Sequence, residues 1–486
     1  MGFANELFKP GVIGDDLKKA ILMLMNRIKK DQCYPDPLEV YNITSIWKLR
    51  GSRNDFDNYR GIFRVPIFRC ILDSLIYNDE YPTVDNNLTD SNVGARKGRN
   101  IRDNIFVLNA VTNSVIKGKA AAVDIQVYDV EKCFDSLWVQ ECINDIYDAG
   151  LNNDKLPLLF LENQNARCAI KSDDGVSKRI NIQNIVMQGS VWGSLLCTTT
   201  MDKLGQLSYE NEDLIYRYKD MVAVPSLCMV DDILNIQKCS ESGRNNAVIN
   251  AFVEMKKLKL SHKKCSRIHV GKVTSECPEL HVHGEKMKNS NQEKYLGDLV
   301  DRSGSIKPTI QDRVAKGYGV LSEIKAILEE IPLGKYKLEM GLKLRQAMLI
   351  NGLLFNSEAW HSVTAQDIVG LEKIDEALLR YLLDCHPKTP LEFLFLESGS
   401  IPIRYILSSR RINYLQTILK RDEEELTRRI LEAQLIQPCS GDFVELVKND
   451  LESIGVAFNK AFIQNTGVDA FKCFIKKKIS AAAGIE

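Results

Sequence analysis

The chain has 486 residues, of which 44% are hydrophobic and 26% are charged, and its 64 basic side chains equal its 64 acidic ones. This composition indicates a globular protein of about two to four domains. The zero net charge excludes attraction of nucleic acid by the overall field, so such binding would depend on local basic segments. No uncharged apolar run is long enough to cross a membrane and no signal peptide is recognisable, so we expect a location in the cytoplasm and nucleus, away from membranes.

The N-terminal part of the chain is predicted to mix helices and strands. Residues 15–30 have the pattern of a short amphipathic helix, and residues 40–125 combine both element types. A loop is expected at Pro82 and the polar residues 85–87, because proline and asparagine favour turns.

The middle of the chain has the clearest strand patterns. A strand is predicted over 121–129, where alternation places four residues on one face: Val123, Ile125, Val127 and Asp129. The next helix is expected from about Ser136 to Gly150, with Asp135 as its cap. Two short apolar strands are predicted over 226–237.

Beyond about residue 305 the pattern becomes helical. A stripe at helical spacing predicts a helix ended by Pro332; its residues are Ile310, Val314, Leu321, Ile324, Leu328 and Ile331. Thr364, with Asp367 three residues later, marks a second helix start. The run Thr389-Pro390-Leu391-Glu392 marks a third, with a capping box and proline at the first helical position.

The cysteines and histidines give no strong metal signal. Thirteen cysteines are scattered singly from Cys33 to Cys473, without a C-x-x-C pair. This spacing argues against a zinc ribbon or knuckle and indicates reduced thiols. His281 and His283 form an isolated H-x-H, for which a structural role is favoured over metal binding.

Two basic segments are candidates for binding a phosphate backbone. Residues 96–102 contain four cations, and residues 256–272 contain seven cations and no acid: Lys256, Lys257, Lys259, Lys263, Lys264, Arg267 and Lys272. We expect both segments to face the cleft that leads to Asp129. Solvated helix surface is the alternative.

Three carboxylates lie where strands are predicted to end. Asp129 ends an apolar strand, and Asp231 and Asp232 lie at the tip of an apolar hairpin. Buried carboxylates need a partner, and a divalent cation is a natural one. A pair formed by Asp129 and Asp231 would suit two metal ions. Taken singly, each site is also explained as a helix cap or a hairpin turn.

Seven segments in order across residues 58–297 resemble the motifs of reverse transcriptases of non-LTR (LINE-type) retrotransposons. Two lie upstream: Asn58–Ile62 and Gly94–Ile105. Five resemble the palm motifs: Val127–Asp135, Met187–Ser190, Met229–Asp232, Ser261–Cys265 and Tyr295–Gly297. Neither a nuclease constellation nor a Cys/His nucleic-acid module is recognisable.

The resemblance implies an α+β right-hand polymerase with fingers, an antiparallel-sheet palm and an all-helical thumb. The expected divisions are an N-terminal helical extension (1–40), fingers (41–120, with part of 150–185), palm (121–305), helical thumb (306–420) and C-terminal helical segment (421–486). The reaction implied is transfer of dNTPs to a DNA or RNA primer on an RNA template. Two Mg²⁺ ions would assist, with Mn²⁺ as an alternative. The oligomeric state is left open.

The resemblance also assigns roles to individual residues. Asp129 and Asp231 would ligate the metals with the Val130 carbonyl, supported by Asp232, and Lys264 would act on the pyrophosphate. The expected nucleotide and template contacts are Phe134, which would exclude a 2′-hydroxyl, Gln188, Gly189, Arg60, Arg96 and Arg99. For Phe134 a core position is the alternative, and for Lys264, Arg96 and Arg99 a surface position.

The sequence departs from the family pattern at two places. The second palm motif continues Val191-Trp192-Gly193-Ser194-Leu195 instead of with prolines, and Gly61 replaces a proline. We expect Gly193 to form the turn and Trp192 to alter the surface near the template. A catalytically decayed nucleic-acid-binding protein and an RNA-dependent RNA polymerase are the alternative functions; Phe134 argues against the second.

Overall fold

The computed structural model describes residues 14–163, 166–172, 175–272 and 277–484. The helices are α1 (Asp15–Asp31), α2 (Ile67–Asn86), α3 (Ile101–Ile116), α4 (Cys133–Ser136), α5 (Val139–Asp148), α6 (Leu156–Asn163), α7 (Gly193–Glu210), α8 (Ser242–Met255), α9 (Lys307–Leu328), α10 (Lys335–Leu344), α11 (Asn351–Leu353), α12 (Ala365–Leu383), α13 (Leu391–Ser398), α14 (Ile403–Leu419), α15 (Leu426–Ile436), α16 (Phe443–Ser453), α17 (Lys460–Asn465) and α18 (Val468–Ala482).

Within the described residues, the strands form two five-stranded sheets and three two-stranded sheets. They are β1 (Val40–Trp47), β2 (Tyr59–Arg64), β3 (Val123–Asp129), β4 (Ala166–Ser172), β5 (Gly175–Val176), β6 (Ile180–Ile182), β7 (Tyr216–Tyr218), β8 (Val222–Val224), β9 (Leu227–Met229), β10 (Asp232–Lys238), β11 (Ser266–Val270), β12 (His281–Val282), β13 (Glu285–Lys286), β14 (Lys288–Asn289), β15 (Gln292–Tyr295) and β16 (Asp298–Asp301).

The palm sheet has the strand order β14-β11-β3-β10-β9, with β3 antiparallel to both neighbours. Side chains alternate between the two faces of a strand. Val123 and Ile125 therefore pack on one face with α3 and the C-terminal helices. Tyr128 and Ile233 pack on the other face with α7 and α8. Both faces are buried, as the predicted antiparallel palm backed by helices requires.

The fingers sheet has the order β2-β1-β4-β5, with β6 also paired to β4. It encloses a small core that includes Tyr41, Phe63, Cys168 and Met187. Met187 is fully buried there, so this core joins the fingers sheet to the segment that carries Gln188 and Gly189.

The C-terminal part of the described chain is helical, as predicted. Helices α9 to α12 share one apolar core with Ile403 at the start of α14. The rest of α14, from Ile412 onward, packs with α15, α16, α18 and the palm sheet. Helix α3 packs there as well. Helix α14 therefore contacts both the core of α9 to α12 and the C-terminal helices, and α3 contacts the palm core. No helix among the described residues is long and apolar enough to span a membrane.

Several local predictions are confirmed. Helix α1 covers the predicted 15–30, the two strands predicted over 226–237 are β9 and β10, and β3 matches 121–129. The Thr364 hydroxyl accepts from the Asp367 N–H, and the Asp367 carboxylate accepts in return, so this capping box is present.

Other local predictions are wrong. Helix α2 continues through Pro82 because Tyr81 and Val84 are buried on its inner face while Pro82 is turned to solvent. Helix α9 ends at Leu328, before Pro332. Pro390, and not Thr389, is the residue before α13, and it makes no side-chain cap.

The helix predicted from Ser136 is split into α4 and α5, and Asp135 lies inside α4 instead of capping the next helix. Asn184 explains the break. Its side chain accepts from the Val139 N–H at 2.8 Å and donates to the Leu137 carbonyl at 3.2 Å. These bonds hold the segment between the helices in an extended conformation, a long-range effect that local spacing does not reveal.

Candidate active site

The three predicted carboxylates lie together at one end of the palm sheet. Asp129 is the last residue of β3 and pairs directly with Asp232, the first residue of β10. Asp231 precedes Asp232 at the tip of the β9–β10 hairpin. The strand register therefore places Asp129 beside Asp232 and close to the hairpin tip that carries Asp231.

The hairpin tip has an unusual backbone that is held by a residue the sequence did not indicate. Val230 has a φ of +58°, a region that β-branched residues rarely adopt. The buried Asn92 side chain accepts from the Val230 N–H at 3.1 Å and donates to its carbonyl at 3.2 Å. The Asn92 oxygen also accepts from the Gly94 N–H. A side chain at Gly94 would meet Val230 atoms at 2.5 Å, so Gly94 allows this close approach.

Lys264 is brought onto Asp129 by a backbone pairing. Residues 259–261 run beside residues 129–131, with the Ser261 N–H donating to the Asp129 carbonyl and the Glu131 N–H to the Lys259 carbonyl. This pairing fixes the Val130 peptide on both sides. The Lys264 ammonium then lies 2.8 and 3.0 Å from the two Asp129 carboxylate oxygens.

The electrostatics of the site reflect crowded negative charge. Burial raises the pKa of Asp231 to about 6, with further contributions from the charges of Asp232 and Asp129 and opposition from Lys264. Although Asp232 is exposed by surface area, the protein around it desolvates the carboxyl, and this, with repulsion from Asp129, raises its pKa. A cation would relieve this repulsion.

The donor chemistry fits a divalent metal. The three acids supply hard oxygen ligands, which Mg²⁺ and Mn²⁺ prefer. Among the described residues, these three carboxylates do not form a group in which all ligand atoms lie within 4.8 Å of one another. A shared ion would therefore draw the side chains together. It would also balance part of the negative charge of Asp129 that Lys264 balances in this structure.

Replacement of Asp231 by Asn should stabilise the metal-free protein in a pH-dependent way. The folded pKa of about 6 exceeds the ordinary value near 3.8, so ionisation opposes folding. This cost is absent below about pH 4, grows towards pH 6 and is constant above it. We expect the variant to melt about 2–4 °C higher at pH 8 in EDTA and at an unchanged temperature near pH 4. Asp148→Asn, at an exposed pair with Lys203, is the control; a gain equal at both pH values would contradict the assignment.

Phe134 lies in α4, five residues after Asp129, and is partly buried against the core shared with α7 and α8. Its position is therefore compatible both with a contact to the incoming sugar and with the core alternative.

Gln188 and Gly189 connect the palm to the fingers sheet. The Phe63 N–H donates to the Gln188 carbonyl at 2.9 Å. Gly189 has a φ of +111°, and a Cβ there would lie 2.7 Å from the Phe63 carbonyl oxygen. Glycine is therefore required by both conformation and space.

The departures in the second palm motif have structural explanations. A Cβ at Gly193 would lie 2.3 Å from the Met187 carbonyl oxygen, so Gly193 permits the turn, as expected. The prediction that Trp192 alters the template surface is wrong. Trp192 is 3% exposed and packs edge-on against the Tyr77 ring at 5.2 Å, because it completes the core beneath the palm.

The 96–102 segment is largely engaged inside the protein. The Arg96 guanidinium is buried on Asp85 and on the Thr89 and Asn92 carbonyls. Arg99 pairs with Asp90 at 2.8 Å and with Glu425 at 3.4 Å. This arrangement does not support the predicted triphosphate contacts of Arg96 and Arg99, because their charges are already neutralised by nearby acids.

The 256–272 segment is likewise not one basic surface. Lys256 is buried on Asp145, and Arg267 is buried on Asp124. Lys263 and Lys272 are exposed. Arg60, on β2, is exposed. The expectation that both basic segments face the cleft is not met by the buried members Arg96, Lys256 and Arg267, because acids elsewhere in the fold pair with them.

One histidine of the H-x-H makes a structural contact. The His283 Nε2 atom accepts from the Leu260 N–H at 2.9 Å.

A palm sheet with carboxylates at the end of its central strands, beside a fingers sheet and a helical region, defines a polymerase of the right-hand class. Residues 54–298, half of the chain, match the family described as reverse transcriptase (RNA-dependent DNA polymerase). The chain belongs to the reverse transcriptase family.

The proteins compared here share little sequence with the chain. The chain is 24% identical over 298 residues to an RNA-directed DNA polymerase from the mobile element jockey of Drosophila funebris, covering 58% of this chain and 31% of that protein. The chain thus spans about a third of the length of the curated relative it matches. Among solved structures, apo telomerase from Candida tropicalis has a TM-score of 0.41 and 12% identity, covering 97% of this chain and 74% of that one. A Candida albicans telomerase in complex with a telomeric RNA fragment has a TM-score of 0.41 and 11% identity, covering 93% and 69%.

Proposed function

We propose that this chain is the reverse transcriptase of a non-LTR retrotransposon, which adds dNTPs to a DNA or RNA primer on an RNA template. The observation that carries the proposal is the cluster of acids at the end of the palm sheet. Asp129 pairs with Asp232, which follows Asp231, and Lys264 contacts Asp129, in a chain of the reverse transcriptase family. The mobile-element origin of the curated relative supports the assignment to a retrotransposon.

Asp129, Asp231 and the Val130 carbonyl would hold two Mg²⁺ ions, with Mn²⁺ as the alternative. Metals bound there would lower the pKa of the primer 3′-hydroxyl and stabilise the negative charge on the departing pyrophosphate. Asp232 would add negative charge that strengthens metal binding. Lys264, released from Asp129 when the carboxylate turns to a metal, would neutralise the pyrophosphate.

The substrate would be positioned by the surrounding elements. The Gln188–Gly189 turn would line the nucleotide and template side, since it connects the palm to the fingers sheet. Arg60 is exposed on that sheet and is the predicted arginine whose charge remains available to a phosphate. Positioning of this kind supplies much of the rate gain in phosphoryl transfer.

Primer extension tests the proposal. The purified full chain would be mixed with a labelled DNA primer on an RNA template, dNTPs and Mg²⁺. We expect template-length products that require the RNA template, the dNTPs and Mg²⁺. Binding without extension in Mg²⁺ or Mn²⁺ would indicate a nucleic-acid-binding protein without activity. Extension with ribonucleotides alone would indicate an RNA polymerase.

Phe134→Ala should admit ribonucleotides while DNA synthesis continues. The ring would collide with a 2′-hydroxyl on the nucleotide bound beside Asp129, and alanine removes the collision. We expect the kcat/KM for a ribonucleotide, relative to the matching dNTP, to rise at least about tenfold, or about 1.4 kcal/mol. Phe134→Tyr keeps the ring and is the matched control. Unchanged discrimination in the alanine variant would leave Phe134 as a core residue.

A further inference from the structure

A second cluster of metal-ligating side chains lies at the far end of the palm sheet from the catalytic carboxylates. It consists of Asp124, Cys239, His269 and Cys277, whose ligand atoms all lie within 4.8 Å of one another. Asp124 is five residues before Asp129 on β3, about 17 Å away along an extended strand. Among the described residues it is the one group of this kind.

The four side chains come from separate parts of the chain. Asp124 on β3 pairs in register with His269 on the adjacent β11. Cys239 follows the last residue of β10, on the other side of β3. Cys277 precedes the β12–β13 hairpin. The sheet therefore brings together ligands that are separated by as many as 153 positions in the numbering, and no short spacing motif marks them.

Two thiols, an imidazole and a carboxylate are a donor set that suits zinc. Tetrahedral zinc, with bonds of about 2.3 Å to sulfur and about 2.0–2.1 Å to nitrogen or oxygen, places its ligand atoms roughly 3.3–3.8 Å apart. The Cys239 sulfur lies 3.4 Å from an Asp124 oxygen and 3.8 Å from the His269 Nδ1 atom. The Asp124 oxygen and His269 Nδ1 are in direct contact and would separate slightly around an ion.

The surroundings orient these ligands and balance their charge. The Arg267 guanidinium donates to the other Asp124 oxygen and, at 3.1 Å, to the Ser242 hydroxyl. Such contacts fix a ligating carboxylate in metal sites. Two thiolates and one carboxylate exceed the charge of Zn²⁺ by one negative unit, and the buried Arg267 supplies the missing positive charge.

We propose that Asp124, Cys239, His269 and Cys277 bind a zinc ion that fastens the segment after β11 to the palm sheet. The fastened segment begins at Cys277 and continues into the β12–β13 hairpin. In the turn of that hairpin, His283 accepts from the N–H of Leu260. Leu260 belongs to the segment that presents Lys264 to Asp129. The ion would be structural, with four protein ligands and no open position for a substrate.

Metal analysis of the full chain tests the proposal without reference to polymerase activity. The protein would be purified under reducing conditions without added metal and then unfolded. Its zinc content would be measured by inductively coupled plasma mass spectrometry. We expect about one equivalent of zinc per chain. Replacement of the metal by Co²⁺ should give the intense visible bands of a tetrahedral site and a thiolate-to-cobalt charge-transfer band.

Variants locate the ion. Cys239→Ser and Cys277→Ser should each lower the zinc content to roughly a tenth or less and lower the melting temperature. Cys168→Ser removes a buried thiol from the fingers core and should retain the metal. If the ligand variants fail to fold, the zinc content and cobalt spectrum of the unmodified chain still decide the question.

Three results would overturn the proposal. The first is a zinc content near zero in the reduced, folded chain. The second is a cobalt spectrum without thiolate charge transfer. The third is a Cys239–Cys277 disulfide in place of bound metal, detected by mass spectrometry of peptides from the alkylated protein. A chain that lacks primer extension but holds zinc would refute the proposed function and leave this site intact.

Discussion

Replacement of Asp129 by Asn should abolish primer extension, with kcat lower by at least about a thousandfold, or about 4 kcal/mol in the activation barrier. Asp129 is the residue that links the two strands of the site to Lys264. Asparagine keeps the shape but removes the negative charge that would hold the metals. The loss should appear in kcat, measured by single-nucleotide addition at saturating dNTP and Mg²⁺.

Controls separate this loss from misfolding. Asp148→Asn makes the same chemical change at an exposed pair with Lys203 and should keep full activity. The Asp129→Asn variant should melt near the parent temperature and should still bind a template–primer duplex. Activity within about tenfold of the parent would mean that Asp129 does not ligate a catalytic metal, and the proposed mechanism would fail.

Replacement of Arg421 by Ala should destabilise the protein by about 3–5 kcal/mol, because it leaves the Asp103 carboxylate buried without its cation. The Arg421 guanidinium bonds to both Asp103 oxygens, at 3.0 and 2.9 Å, and also to the Gly98 carbonyl. The two side chains are 8% and 2% exposed. The Tyr414 hydroxyl donates to the same carboxylate at 2.7 Å. This cluster ties the C-terminal helices to α3 beneath the palm.

Urea unfolding followed by circular dichroism measures this effect. Arg244→Ala removes an exposed pair with Glu241 and should cost less than about 1 kcal/mol. A double variant, Asp103→Asn with Arg421→Met, should be more stable than Arg421→Ala, because it removes the uncompensated charge together with its partner. Equal losses for Arg421→Ala and Arg244→Ala would show that the pair does not hold the C-terminal helices in place.

The sequence by itself determined several local elements and the three acids of the candidate active site. Strand alternation predicted β3 because the period of side chains along a strand is fixed by backbone geometry. Asp129 and Asp231 were found because each carboxylate adjoins a strongly apolar strand. This pattern is visible within a few residues, and a carboxylate at such a place is costly in free energy unless it has a partner. The Thr364 capping box was likewise found from spacing alone, since capping depends on residues within one turn.

The tertiary structure alone decided which charges are available. The sequence indicated Arg96 and Lys256 as phosphate ligands, yet Arg96 is buried on Asp85, 11 positions away, and Lys256 on Asp145, 111 positions away. Pairings of this kind depend on which helices meet, and no local spacing encodes that.

The same reason explains the residues that sequence analysis missed. Asn92 holds the strained Val230 peptide across 138 positions of the chain, and Asn184 divides α4 from α5 across 45. Two of the zinc ligands proposed above, Asp124 and His269, lie on adjacent strands, and the other two, Cys239 and Cys277, lie outside the strands. Short-range patterns in a sequence carry information about backbone conformation. Contacts between distant segments exist only after the sheets and helices have packed, and for this reason only the folded chain assigns these residues their roles.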